Sequence, residues 1–236
     1  MDSKNDALIE VISGQAGAPV GASIIWLHGL GASGDDFVPV VPELGLPPTP
    51  AVRFIFPHAP VRPITINGGM SMRGWFDITS LDFEAREQDL DGMRSSVEIV
   101  NKLIEAEIER GVAAEKIIIA GFSQGGAIAL MTALEGKYPL AGVMALSTYL
   151  PDAEQVLANY QTTRQQAGTD QTPLLPVFMA HGQFDDVIQI RFAEASKSAL
   201  EKAGITPEWH SYPMPHSVSP EEIMDIGKWL KQRLFE

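Results

Sequence analysis

Short apolar runs recur along this chain, and helical patterns fill the intervals between them. Residues 7–12, 23–27, 52–56, 116–120, 141–146, 175–180 and 208–212 are apolar or alternating runs bounded by Gly, Pro or polar residues, and each predicts a β-strand. The central runs lack polar alternation, as strands covered on both faces do. Leu90, Met93, Val97, Val100, Leu103, Ile104 and Ile108 recur at steps of three and four, which predicts one long amphipathic helix ending at Gly111. Further helices are predicted over 124–134, 188–203 and 220–235. This alternation predicts an α/β fold, with a mostly parallel central sheet flanked by helices on both faces and ligands bound at the carboxyl ends of its strands.

Two stretches have no such period. Residues 57–76 carry Pro57, Pro60, Pro63, Gly68, Gly69 and Gly74 and read as a long irregular connection that helps wall a pocket. The polar segment 161–172 reads as a surface connection after a short helix.

Length and composition narrow the picture. A chain of 236 residues with no linker-like segment is expected to form a single domain over 1–236. No apolar run approaches the ~20 residues that a membrane-spanning helix needs. The net charge of -13, without clustered Lys and Arg, argues against nucleic acid as a partner. The acidic stretch 82–91 reads as a solvated entry to the long helix. The first residues, Met1 to Asp6, have neither a basic nor an apolar region of the secretory kind, so a cytoplasmic location is expected. There is no cysteine, so any nucleophile must be an oxygen or a nitrogen.

The chemistry centres on Gly121-Phe122-Ser123-Gln124-Gly125, which joins the strand at 116–120 to the helix at 124–134 without a spacer. A serine in that context sits on a strained strand-to-helix turn that lifts its hydroxyl out of the sheet, and small flanking residues let the two elements approach. The amide N–H of Gln124 then points to the same space at a helix N-terminus and is a candidate oxyanion donor.

Serine needs a base, and the base needs a carboxylate; with this elbow the chain order is Ser, acid, His. His28 and His58 precede Ser123, His181 directly follows a strand and His210 lies within one. His216, in the loop between the last strand and the last helix, is the expected base. For the acid, Asp185 and Asp186 compete in the loop after 175–180; Asp185 is favoured, with Asp186 then placed at a helix N-terminus. His28-Gly29-Leu30-Gly31 follows an early strand as oxyanion loops do, with the Leu30 amide as second donor and His28 as a support for the loop.

Trp75 and Phe76 are candidates to line an acyl pocket, with core packing the equal alternative. Met70, Met72 and Leu150 read as packing residues, and Asp35 and Asp36 as a helix cap and loop brace. No ligand pair has convincing metal spacing, so no metal is predicted.

Together these segments, with Asp35-Asp36-Phe37, Phe56-Pro57-His58-Ala59-Pro60, Gly74-Trp75-Phe76-Asp77-Ile78 and Tyr212, resemble the carboxylesterase and acyl-protein thioesterase family of α/β-hydrolases, over residues 23–230. The chain looks closest to the small bacterial carboxylesterases of that family. The resemblance implies a serine carboxylesterase of short- to medium-chain esters, with hydrolysis of protein thioesters or lysophospholipids as the alternative. It implies no cofactor, no metal and no large lid domain. It carries the triad onto Ser123, Asp185 and His216, and the oxyanion donors onto Leu30 and Gln124. Asp186 departs from the family pattern, where proline is frequent. A catalytically silent binding protein is the rival from another class, although such proteins usually lose a triad member. A homodimer is left open as a partner, because exposed apolar rims around such sites often support one.

Overall fold

The computed structural model describes residues 8–80, 87–166, 168 and 174–236. Residues 1–7, with them the first residue of the predicted 7–12 strand, part of the acidic stretch and most of 167–173 lie outside the described residues.

Seven strands form the main sheet: β1 (Leu8–Ser13), β2 (Val20–Leu27), β3 (Ala51–Pro57), β6 (Ile117–Phe122), β7 (Gly142–Leu146), β8 (Val177–Gly182) and β9 (Glu208–Tyr212). Their order is β1-β3-β2-β6-β7-β8-β9, with β1 antiparallel to β3 and every other pair parallel. Five α-helices follow the predicted alternation: α1 (Leu90–Glu109), α2 (Gln124–Leu134), α3 (Ala153–Gln166), α4 (Ile190–Lys202) and α5 (Pro220–Phe235).

The absence of polar alternation has the predicted meaning. Along β6, Ile117 and Ile119 enter one apolar cluster while Ile118 and Ala120 enter the other. The first cluster takes Met93, Val97, Val100 and Ile104 of α1 and the apolar residues of α2; the second takes Ile226, Trp229, Leu230 and Leu234 of α5. Burying such strands on both faces is the main source of stability, at ~25 cal/mol for each Å² of apolar surface.

Three segments differ from the sequence reading. Residues 57–76 are not an irregular connection throughout: β4 (Val61–Ile64) and β5 (Met70–Arg73) pair as an antiparallel hairpin apart from the main sheet. Gly68 and Gly69, both at positive φ, turn the chain there. Met70 lies on this hairpin 64% exposed, not packed, whereas Leu150 is buried. Residues Gly34–Leu44 form a 3-10 segment containing Pro39 and Pro42, and Ser33 rather than Asp35 or Asp36 stands at its N-cap. The Asp35 carboxylate accepts the Ser33 hydroxyl instead. α3 runs on to Gln166, into the predicted connection.

At the amino end of the sheet, the buried Glu107 near the end of α1 binds Arg53 of β3 at 2.7 Å and Arg110 at 3.0 Å, and accepts the Ser23 hydroxyl of β2. Arg110 in turn forks onto Glu10 of β1. One carboxylate therefore ties α1 to three strands.

Candidate active site

Between β6 and α2 the chain turns on Ser123, at φ 54° and ψ −122°, a backbone conformation that a non-glycine residue adopts at a cost of ~1–3 kcal/mol. The turn is held from both sides. Ser123 N–H donates to Leu146 O at 2.9 Å, and the Thr148 hydroxyl donates to Ser123 O at 2.7 Å. The flanking glycines are required by space. A Cβ on Gly121 would lie 2.3 Å from the Gly125 carbonyl, and one on Gly125 would lie 2.5 Å from Leu27 O and 2.6 Å from His28 O. The second contact sets the elbow directly against the loop that begins at His28.

That loop is braced by its histidine, as expected. Ala59 N–H donates to His28 Nε2 at 3.0 Å, so Nδ1 carries the hydrogen and donates to Gly29 O at 2.7 Å. Burial lowers the proton affinity of the His28 ring, consistent with a neutral brace. His58 Nδ1 accepts the Gly34 N–H at 2.8 Å and fastens the other end. Leu30 sits beside Gly74, whose added Cβ would approach Leu30 Cδ1 to 3.0 Å and Gln124 Oε1 to 3.5 Å. The Leu30 and Gln124 N–H groups have no backbone acceptor among the described residues.

Gln124 also does something its position alone did not announce. Its side chain accepts Trp75 N–H at 2.7 Å and donates to Phe76 O at 2.6 Å. The Trp75 indole donates to His28 O at 2.8 Å. Trp75 is fully buried and Phe76 nearly so, both in the first apolar cluster. Both side chains pack in the core, and their backbone and indole hydrogen bonds link the HG-x-G loop to the elbow.

His216 follows β9 and lies against the elbow, its ring 4.7 Å from that of Phe122. Its Nδ1 is 2.7 Å from Asp185 Oδ2. A carboxylate can only accept here, so Nδ1 carries the hydrogen and Nε2 is left to accept. Among the described residues no hydrogen bond joins Ser123 Oγ to His216, a contact that commonly tightens only when substrate is bound. The two loops are joined by backbone: Gln183 N–H donates to Tyr212 O at 2.8 Å and Phe184 N–H to Met214 O at 3.1 Å. Gly182 permits this, since a Cβ there would meet Pro215 O at 2.4 Å.

Asp185 faces His216, while Asp186 is exposed. Asp185 Oδ1 accepts the N–H groups of Val187 at 2.9 Å and Ile188 at 2.8 Å, a turn that delays helix α4 until Ile190. Asp186 therefore stands ahead of the helix, not at its N-terminus. Burial pushes the Asp185 carboxyl up, but hydrogen bonds from His181, His216 and Ile188 outweigh it and hold the group well below the usual carboxylate range. Sequence reasoning weighed His181 only as a base; its place beside Asp185 was missed. Among the described residues no group of three or more His, Cys, Asp or Glu could hold a metal ion.

The sequence profile of the phospholipase/carboxylesterase family matches residues 8–234. Acyl-protein thioesterase 1 of Cryptococcus neoformans is 38% identical over 229 residues, covering 90% of this chain and 92% of that protein. The enzyme of the same name from Mycosarcoma maydis is 38% identical, covering 94% and 95%. Among solved structures, acyl-protein thioesterase 2 of Zea mays superposes with a TM-score of 0.81 at 30% identity, covering 96% of this chain and 99% of that one. The chain belongs to the phospholipase/carboxylesterase family of α/β-hydrolases and is a carboxylic ester hydrolase.

Proposed function

We propose that this chain is an acyl-protein thioesterase that works through an acyl-enzyme on Ser123, and that small carboxylic esters are hydrolysed by the same machinery. The observation that carries the chemistry is the pairing of a strained serine elbow with an imidazole whose Nδ1–H is held by a buried carboxylate. The preference for protein thioesters rests on the names of the relatives; it puts first what the sequence reading had as its alternative.

In the cycle, His216 Nε2 takes the Ser123 proton as Oγ attacks the acyl carbonyl. Asp185 holds the imidazole by Nδ1 and stabilises the imidazolium that forms. The Leu30 and Gln124 N–H groups receive the oxyanion, each worth ~2.7–4 kcal/mol in such a site. His216 returns the proton to the leaving thiolate or alkoxide. Water, deprotonated by the same nitrogen, then attacks the acyl-enzyme and releases the acid.

The test compares wild type and Ser123→Ala on p-nitrophenyl esters of increasing acyl length and on an S-acylated peptide, with a fluorophosphonate to label the serine. Removing the nucleophile is expected to cost about 10³-fold or more in kcat and to abolish labelling. Full turnover by the variant would sink the mechanism. Hydrolysis of the esters with none of the acyl-peptide would return the protein to the small-ester reading.

A further inference from the structure

Two histidines face the Asp185 carboxylate, and only one of them belongs to the loop that carries the proposed base. His181, in β8, is wholly buried, with Nε2 2.7 Å from the Ile188 carbonyl oxygen and 3.3 Å from Asp185 Oδ2. Both neighbours are acceptors, so Nε2 carries the hydrogen, and Nδ1 has no partner among the described residues. Asp185 Oδ2 is also the oxygen that receives His216 Nδ1–H. The titratable groups facing this carboxylate are thus His181 from β8 and His216 from the loop after β9, with exposed Asp186 next in the chain.

A hydrogen so placed has two effects. Bonded to Ile188 O, it pins the far end of the 182–188 turn to the central sheet, and with it the N–H groups that grip Asp185 Oδ1. Lying within reach of Oδ2, it also draws negative charge from the oxygen that His216 uses, which weakens the pull of the carboxylate on an imidazolium.

We propose that His181 is a positioning residue for the hydrolytic reaction, its Nε2–H fixing Asp185 and sharing with His216 Nδ1–H the oxygen that Asp185 presents. This rests on the Ser-His-Asp reading above. It also explains why an imidazole, and not an aliphatic side chain, occupies a buried position in β8.

The test is the pH profile of kcat/KM on a p-nitrophenyl ester for wild type, His181→Met, His181→Gln and His216→Gln. Methionine fills the space without a donor; glutamine keeps an N–H near the place of Nε2. His181→Met is expected to lower kcat/KM at neutral pH about tenfold and to move the acidic limb up by about half a pH unit or more, because an Asp185 relieved of one donor holds the His216 imidazolium more strongly. His181→Gln is expected to return the limb to its wild-type position. A methionine variant whose limb stays or moves down, or a glutamine variant that behaves like methionine, overturns the inference.

His216→Gln separates the two readings. Wild-type turnover there defeats the triad itself, whereas loss there with an unmoved limb in His181→Met defeats only the role of His181. Should His181→Met not fold, nitrogen-15 NMR of the wild-type imidazoles decides. A hydrogen on His181 Nε2 with Nδ1 bare supports the inference, and one on Nδ1 overturns it.

Discussion

The two ends of the main sheet bury polar groups in opposite ways. At the carboxyl end the three non-glycine residues of positive φ among those described, Ser123, Ser147 and Asp152, all follow β6 or β7, and the Leu30 and Gln124 N–H groups have no backbone acceptor among the described residues. At the amino end, both oxygens of Glu107 are taken, by Arg53 and Ser23 on one side and Arg110 on the other. Strain and donors without a backbone acceptor gather at the end that carries the proposed site, and charge is compensated where the chain only has to be held. The same sheet supports both because the amino-end anchor and the apolar clusters leave the loops at the other end free to be strained.

That contrast can be broken from either end. The largest effect is expected from Gly125→Ala, whose Cβ would collide with two backbone carbonyls that cannot move without shifting β2. A destabilisation of about 4 kcal/mol or more in urea unfolding, with loss of esterase activity, is expected; a variant melting with wild type would mean the elbow is looser than its geometry.

Glu107→Ala attacks the closed end. It leaves Arg53 and Arg110 without their shared partner and should cost ~3–5 kcal/mol by the same measurement. Because the change is remote from the elbow, kcat/KM of the folded fraction should stay within about twofold of wild type. A large fall in kcat/KM at full folding would show that the two ends are coupled.

Glu222 sharpens the comparison by pH. It is fully buried on α5, neither carboxyl oxygen has a hydrogen-bond partner among the described residues, and burial pushes its pKa from 4.5 up to about 8. The folded state therefore keeps a proton that the unfolded chain has lost, and stability falls as pH rises between these values, by up to ~1.4 kcal/mol per pH unit. Glu222→Gln should remove that slope, gaining stability over wild type at pH 8 and little at pH 4.5. Parallel melting curves across this window would discount the buried proton. The smallest effect belongs to Asp89→Ala, which deletes the 2.9 Å cap on Gly92 N–H at the start of α1 and the 2.8 Å bond from Asp77 N–H, and should cost ~1–2 kcal/mol with activity intact.

Much of the fold was legible because burial imposes a period. The seven main strands and the helices α1, α2, α4 and α5 appear within a few residues of their predicted bounds, since each presents a continuous or amphipathic apolar pattern. The hairpin β4–β5 was hidden because its strands are four residues each, with Pro63 inside one and a Gly68-Gly69 turn that reads as loop. The 3-10 segment was hidden because Pro39 and Pro42 break any helical period.

At the site, the elbow and the HG-x-G loop were readable because close backbone approach demands glycine at fixed spacing. What could not be read were contacts set by tertiary placement: Gln124 reaching Trp75 and Phe76, and His181 turning towards Asp185. The available signal for the second was a histidine directly after an apolar strand and four residues before the acid. Its partner became apparent only with the geometry of the turn between them.

Neither flank of the elbow has room for a single additional methyl group. For a lineage under selection, Gly121 and Gly125 are therefore fixed points across which almost no sequence drift is tolerated. The hairpin of Val61–Ile64 and Met70–Arg73 is its own two-stranded sheet, and Val61 and Met70 on it are each 64% exposed. Variation in those outward side chains meets no such spatial limit, although the Arg73 O of the same hairpin accepts the Gly31 N–H at 2.8 Å. Change is therefore expected first in the outward side chains of the hairpin and last at the elbow.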